Sequence, residues 1–309
     1  MSKHPALGIT SSLPLITATN PDKHSEEPGR EYRRIPILGL GVYRIKPSPD
    51  GVCQAACRAA LEAGYRHIDT ARLYRNEPQV CRISTTDRTL SRKDIFLTTK
   101  IRESTGDEER DYKTALKCVE RLAGTAESCV PYVDLLLIHQ PPSTLQARKA
   151  LWHALERLQR EGRARSIGVS NYRIEHIEEM KTYARNTWPP CVNQIEVHPW
   201  FQQAELTEYC ASHGIVVEAF APLAQGKYFV DNKSALVRIA RKHGKTRAQV
   251  LIRWSLQKGF VALPKSSRPE RIRENADVFD FELDGAEMSA LGGLDHGGTA
   301  GATYKWNKA

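Results

Sequence analysis

Five successive strand-like runs of this chain end in side chains that hold or move protons, or that give and take hydrogen bonds. Asp69 closes the run 67–69, Lys100 the run 95–100 and His139 the run 133–139; Ser170, followed by Asn171, closes 166–170, and Gln194 sits near the end of 192–196. Taken singly, each has an ordinary structural explanation: solvent entry, a buried Asp–Lys pair, a satisfied core histidine. Five in succession point instead to one rim, the edge of a parallel barrel on which active sites are built. A different chemistry is suggested by the cationic stretch 265–273 (KSSRPERIR), which suits a phosphorylated small molecule.

These residues need elements to position them. Apolar runs at 37–42, 67–69, 95–100, 133–139, 166–170, 192–196, 216–220 and 261–263 alternate with helix-like segments at 51–63, 107–122, 145–159, 174–184, 204–213, 234–243, 247–257 and 269–277. A short extra helix is expected at 284–291, and 78–90 reads poorly as helix. Eight β/α units fit an α/β fold of the (β/α)8 TIM-barrel kind, a single domain over 31–309 behind an N-terminal extension or irregular hairpin at 1–30. A doubly wound open sheet has the same alternation, and strand count leaves it open. Its dinucleotide fingerprint is missing: Gly39-Leu40-Gly41 reaches Arg44 where a third glycine would stand, and Gly226-Lys227 lacks the rest of a phosphate loop.

Composition narrows the partners. Of 309 residues, 40% are hydrophobic and 26% charged, which excludes wholesale disorder, and no apolar run approaches a membrane span. Lys and Arg number 45 against 36 Asp and Glu, a net charge of +9. The dense basic stretches 157–165 and 238–247 have helical apolar spacing and no interleaved aromatics, so they are solvated helix faces rather than a nucleic-acid surface. The seven cysteines are odd in number and form no C-x-x-C pair. Buried free thiols in a reducing compartment are expected, with no metal site. The opening residues lack the pattern of a secretory signal, and the cytoplasm is the expected location.

The stretch Gly64-Tyr65-Arg66-His67-Ile68-Asp69-Thr70-Ala71, then Tyr74, Asn76 and Glu77, resembles the first signature of the aldo-keto reductases. Ser166-Ile167-Gly168-Val169-Ser170-Asn171-Tyr172 resembles the second, and Leu263-Pro264-Lys265-Ser266 with Arg271, Glu274 and Asn275 the third. The resemblance runs from about residue 35 to 294 and implies a catalytic tetrad of Asp69, Tyr74, Lys100 and His139. A carbonyl that accepts hydride builds negative charge on oxygen and needs a proton there. Tyr74 would deliver it, with its pKa lowered by Lys100, which Asp69 holds in place. His139 would orient the carbonyl; relatives that reduce steroid carbon–carbon double bonds carry glutamate at this position.

The resemblance also implies NADPH/NADP+ as cofactor. Lys265, Ser266 and Arg271 would take the 2′-phosphate, and Glu274 and Asn275, placed at the start of the last barrel helix, the adenine edge. Ser170, Asn171 and Gln194 would hold the carboxamide, with Phe220, Pro222 and Leu223 beside the nicotinamide. Phe220 stands where the family usually has tyrosine, and Ala221 where it has serine. Glu218 should face into the barrel with no evident partner, and Cys81 replaces the glycine ending the first signature, where a truncated helix is expected. Tyr43, Gln140 and Trp306 are the candidate substrate-pocket residues, a polar wall suited to polar or hydroxylated carbonyls. In the tail, Tyr304 or Trp306 either folds over the mouth or is disordered. The expected activity is NADPH-dependent reduction of a small-molecule aldehyde or ketone, by a monomer or weak homodimer with no nucleic-acid or membrane partner. A cofactor-binding regulatory or sensor barrel with little turnover is the alternative.

Overall fold

The structure, a computed structural model, describes residues 7–15, 33–47, 51–86, 90–124, 131–231 and 234–304. Two short strands, β1 (Ser12–Pro14) and β2 (Arg34–Pro36), pair antiparallel with Leu13 opposite Ile35. Eight further strands follow: β3 (Leu40–Gly41), β4 (His67–Asp69), β5 (Phe96–Ile101), β6 (Val133–Ile138), β7 (Ala164–Ser170), β8 (Val192–Glu196), β9 (Val216–Phe220) and β10 (Val261–Leu263). Each pairs in parallel with the next, and the order never reverses. The ring closes where Leu38 bridges Ala262 in parallel and Gly39 N donates to Ala262 O at 2.9 Å. That closure sets aside the open doubly wound sheet. It also requires glycine: a Cβ on Gly39 would lie 2.7 Å from Leu263 Cδ2 and 2.8 Å from His67 Nδ1.

The helices are α1 (Val52–Glu62), α2 (Glu77–Thr86), α3 (Glu108–Ala123), α4 (Leu145–Arg160), α5 (Ile174–Met180), α6 (Ala204–Ser212), α7 (Ala235–His243), α8 (Arg247–Gln257), α9 (Pro269–Ala276) and α10 (Gly285–Gly292). Local chemistry starts several of them. Asp107 and Thr144 accept from the backbone N–H groups of Arg110 and Ala147, and Thr246–Gln249 and Asp284–Glu287 form capping boxes. The segment that reads poorly as helix forms one, α2. Its first turn is pinned by tertiary bonds, Asn76 Nδ2 to the carbonyls of Val42 (3.0 Å) and Ile45 (2.9 Å), and Thr99 Oγ1 to Glu77 Oε1 (2.6 Å). Such anchoring overrides the weak propensity of its Ser/Thr-rich end. The first apolar run, by contrast, yields only the two residues of β3 plus the Leu38 bridge.

Alternation along the strands sorts the core. Leu136 and Ile138 pack outward under the helices, whereas Leu135 and Leu137 join Val192, Val261 and Leu263 inside the barrel. Leu15 and Ile35 of the N-terminal pair belong to that inner cluster and are fully buried, so the hairpin plugs the end where the strands begin. Burying two such side chains stabilises by about 1.5–3 kcal/mol each. Residues 1–6 and 16–30 of the expected extension lie outside the described residues. Of the cysteines, Cys53, Cys57, Cys118, Cys191 and Cys210 are buried free thiols, Cys81 is half-buried, and Cys129 lies outside the described residues. Among the described residues no helix is long and apolar enough to cross a membrane, and no cluster of ligating side chains is placed to hold a metal.

Candidate active site

At the C-terminal ends of the strands lies a cavity of about 660 Å³. Its wall includes Asp69, Tyr74, His139, Ser170, Asn171, Gln194 and Phe220, together with Pro222, Leu223, Lys265, Ser266, Arg271, Glu274 and Asn275. Lys100 stands just behind that wall. Its Nζ donates to both oxygens of Asp69 at 2.6 Å and to Thr70 O at 3.0 Å, and it is 1% exposed. Burial of this ion pair is tolerable because every ammonium hydrogen has an acceptor.

Tyr74 ends a 3-10 turn after β4, Arg72–Tyr74, whose backbone is held by Tyr74 N to Ala71 O at 2.9 Å. Asn76, bonded by Thr70 Oγ1 at 2.6 Å, ties that turn to the strand. The phenol ring lies with its centroid 5.2 Å from Lys100 Nζ, 4.9 Å from the Tyr43 ring and 5.7 Å, edge-on, from His139. Asn171, in the left-handed region at φ 59°, donates from Nδ2 to His139 O at 3.0 Å and so fixes the loop that carries the histidine.

The electrostatics depart from expectation at one point. Burial, then the charge of Asp69, push the Tyr74 phenol well above its ordinary value. Asp69, which grips the Lys100 ammonium through both oxygens, sets its own negative charge beside the phenol as well. His139 is driven down to about 3 by burial and by Lys100 and Arg102, so it is a neutral imidazole throughout the physiological range.

The second arm of the cavity is cationic. Arg44, Lys265 and Arg271 line it, and among the described residues none of the three has a carboxylate within ion-pair distance. Partial desolvation at the cavity wall, then the neighbouring Arg44, lower the pKa of Lys265. The buried Ser266 hydroxyl accepts from Arg268 N at 3.1 Å, and Arg247 and Thr246 complete this side. Glu274 and Asn275 lie in the last turn of α9, not at its start, because Pro269 begins the helix. Thr246 Oγ1 donates to Glu274 Oε1 at 2.8 Å. The donor set fits a phosphorylated dinucleotide, with cations for phosphate, hydroxyl and amide groups for a carboxamide, and the flat Phe220 face beside them.

Tyr43 lines the cavity, whereas Gln140 does not: its side-chain carbonyl faces Arg102, at 2.9 Å from Nε and 3.0 Å from Nη2. Trp306 lies outside the described residues. Tyr304 does close over the mouth, 5.4 Å from Phe220 and 6.2 Å from Tyr43 between ring centroids. Arg44, Arg247 and Phe229 are wall residues that strand-end reasoning misses. Arg44 follows Tyr43 directly, but its inward turn depends on a left-handed backbone, φ 58°, which no sequence pattern announces. Glu218 has the partner that the sequence does not supply, the Gln194 side-chain amide at 2.9 Å.

A closed (β/α)8 barrel with a Tyr–Lys–Asp–His cluster beside a cationic arm defines an oxidoreductase. Residues 37–296 match the sequence model of the Aldo/keto reductase family, and the chain belongs to that family. It is 40% identical over 261 residues, 84% of this chain and 89% of the relative, to a glyoxal reductase of Bacillus subtilis (strain 168). Among solved structures it is similar to an aldo/keto reductase from Brucella melitensis, with TM-score 0.78 and 39% identity, covering 93% of this chain and all of that one (100%). A mutant of Gox0644 in complex with NADPH matches with TM-score 0.76 and 37% identity, over 86% of this chain and 92% of the other.

Proposed function

We propose that the protein reduces a small polar aldehyde or ketone to the alcohol with NADPH, Tyr74 serving as proton donor. The observation that carries this reading is the convergence on one cavity of Tyr74, the Asp69–Lys100 pair and His139 with the cationic arm of Arg44, Lys265 and Arg271. Bound along Lys265, Ser266 and Arg271, NADPH would supply the hydride. The chain's own residues handle the charge that then grows on oxygen. Tyr74, with its pKa raised, keeps its proton across the physiological range, and an alkoxide is a far stronger base than a phenolate, so transfer remains downhill. As the proton leaves, Lys100 places a positive charge 5.2 Å from the ring that becomes negative. His139, neutral, gives a hydrogen bond to the same oxygen without titrating.

Lys265, Ser266 and Arg271 favour NADPH over NADH, since only the former offers a dianion to two cations and a hydroxyl. Tyr43 and Tyr304 give the substrate side a polar wall, consistent with the dicarbonyl in the name of the Bacillus relative. The test is to follow NADPH absorbance with purified protein and a panel of aldehydes, glyoxal included. Turnover lost in Tyr74→Phe supports the reading. NADPH fluorescence quenching without turnover of any carbonyl replaces it with a cofactor-binding regulatory barrel.

A further inference from the structure

Beside the Asp69–Lys100 pair, inside the barrel, lies a second carboxylate. Glu218 on β9 is fully buried, and its partner in the parallel register is Gln194 on β8. Gln194 Nε2 stands 2.9 Å from Asp69 Oδ2 and 2.9 Å from Glu218 Oε2, so one amide gives a hydrogen to each carboxyl group. The donors are shared unequally. Asp69 also receives Lys100 on both oxygens at 2.6 Å. Glu218 Oε1 has no hydrogen-bond partner among the described residues, and His67 Nε2 is 3.6 Å from it.

An ionised Glu218 would add a second negative charge beside Asp69, with the one nearby ammonium already engaged and one oxygen undonated. Such a charge in a dry interior is costly. A carboxylic acid removes that charge: Oε2 still accepts from Gln194, and Oε1, 3.6 Å from a His67 Nε2 that already meets Thr98 Oγ1 at 3.0 Å, carries a proton in place of the negative charge. The facing titratable groups are His67 and Asp69 from β4, Lys100 from β5 and Cys191 just before β8. Strand β10 brings only Val261, Ala262 and Leu263, and β3 only Leu40 and Gly41. Burial and the charge of Asp69 push Glu218 up to about 8, and burial holds His67 down at about 3 and therefore neutral.

We propose that Glu218 is a proton-holding positioning residue of the active site, whose loss of that proton to solvent is felt at Tyr74 through the Gln194 amide shared with Asp69 and suppresses carbonyl reduction on the alkaline side. The rate consequence rests on the carbonyl-reductase reading above. An ionised Glu218 adds negative charge next to the Asp69–Lys100 pair and so opposes the negative charge that Tyr74 takes on while giving its proton.

Two measurements test this. The first needs no turnover: infrared spectra of the cofactor-free protein in D2O, wild type minus Glu218→Gln. A protonated-carboxyl C=O band at pH 6 that disappears through about pH 8 supports the assignment; its absence at pH 6 overturns it. The second is the pH profile of kcat for NADPH-driven reduction, each variant scaled to its own maximum. The amide of Glu218→Gln is a neutral stand-in for the acid, so its alkaline fall-off moves up by one pH unit or more, and Glu218→Ala, which also removes the titrating group, moves it in the same direction. An unchanged alkaline limb in either variant overturns the coupling. A titrating band in a protein that reduces no carbonyl supports the proton on Glu218 and overturns the functional reading instead.

Discussion

The backbone N–H of Thr303 donates to Glu196 Oε1 at 2.7 Å, and that carboxylate, fully buried at the end of β8, anchors the tail of the chain. The Thr303 hydroxyl donates to the same oxygen, and Tyr304 N approaches Oε2 at 3.4 Å. Just upstream, Gly301 packs so closely on Trp200 that a Cβ there would sit 1.6 Å from the Trp200 carbonyl oxygen. Tyr228 Oη donates to Gly301 O at 3.1 Å from the other side. Tyr304 is thus carried over Phe220 and Tyr43 by a buried carboxyl group and a glycine contact rather than by any preference of its own.

Gly301→Ala should therefore displace the tail while leaving the barrel intact. A backbone carbonyl cannot move aside for the methyl, so Thr303 leaves Glu196 and Tyr304 leaves the mouth. The expected result is a KM for the carbonyl raised about tenfold, equivalent to about 1.4 kcal/mol, with NADPH affinity changed far less. An unaltered KM would show that Tyr304 does not shape the substrate site.

The cationic arm makes a separate prediction. Lys265 and Arg271 are both exposed, so each phosphate contact is taken at the lower end, about 1 kcal/mol. Lys265→Met combined with Arg271→Ala should weaken NADPH roughly thirtyfold by fluorescence titration and NADH by less than about threefold. Equal losses for the two cofactors would remove the 2′-phosphate from this arm.

The parts of this site that were legible in the sequence are those fixed by strand alternation and by signature motifs. Asp69, His139, Ser170 and Gln194 sit at strand ends and reach the cavity because a parallel barrel gathers those ends in one place. What escaped depends on contacts distant in sequence. Gln140 is drawn out of the pocket by Arg102, Arg44 needs a left-handed backbone, and of the two outcomes the sequence offers for Tyr304 the choice is made by Glu196, more than a hundred residues away. The helix α2 was obscured because tertiary bonds at Asn76 and Glu77, not the propensities of its residues, hold it. The Tyr74 acidity escaped in the same way: the Asp69–Lys100 pair is visible in the sequence, but the burial of the phenol, the larger influence, is not.

Tyr74→Phe should remove proton delivery with little change in the fold, since the ring contacts with Tyr43 and His139 survive. General acid catalysis contributes about 10²–10⁴-fold, and a loss of kcat of that size with NADPH binding retained is expected. A variant that keeps more than about a tenth of the wild-type kcat would place the proton donor elsewhere.

Stability should peak near neutrality, for reasons that can be worked out group by group. His67 and His139 are held down at about 3, from an ordinary value of 6.5. Above pH 6.5 both states are neutral and nothing is lost. As pH falls from 6.5 towards 3 the unfolded chain takes up protons that the folded one refuses, so stability drops. Glu218 acts in the opposite sense, raised from 4.5 to about 8. Between those values the unfolded chain has ionised while the folded one keeps its proton, and stability falls as pH rises, by at most about 1.4 kcal/mol per unit. Two histidines outweigh one glutamate below pH 6.5, and the glutamate acts alone among these three above it, which places the maximum at about 6.5. Urea midpoints at pH 5, 6.5 and 8 check this, with Glu218→Gln expected to flatten the alkaline side and to steepen the rise from pH 5 to 6.5; a wild-type midpoint still climbing from pH 6.5 to 8 would mean that Glu218 is already ionised.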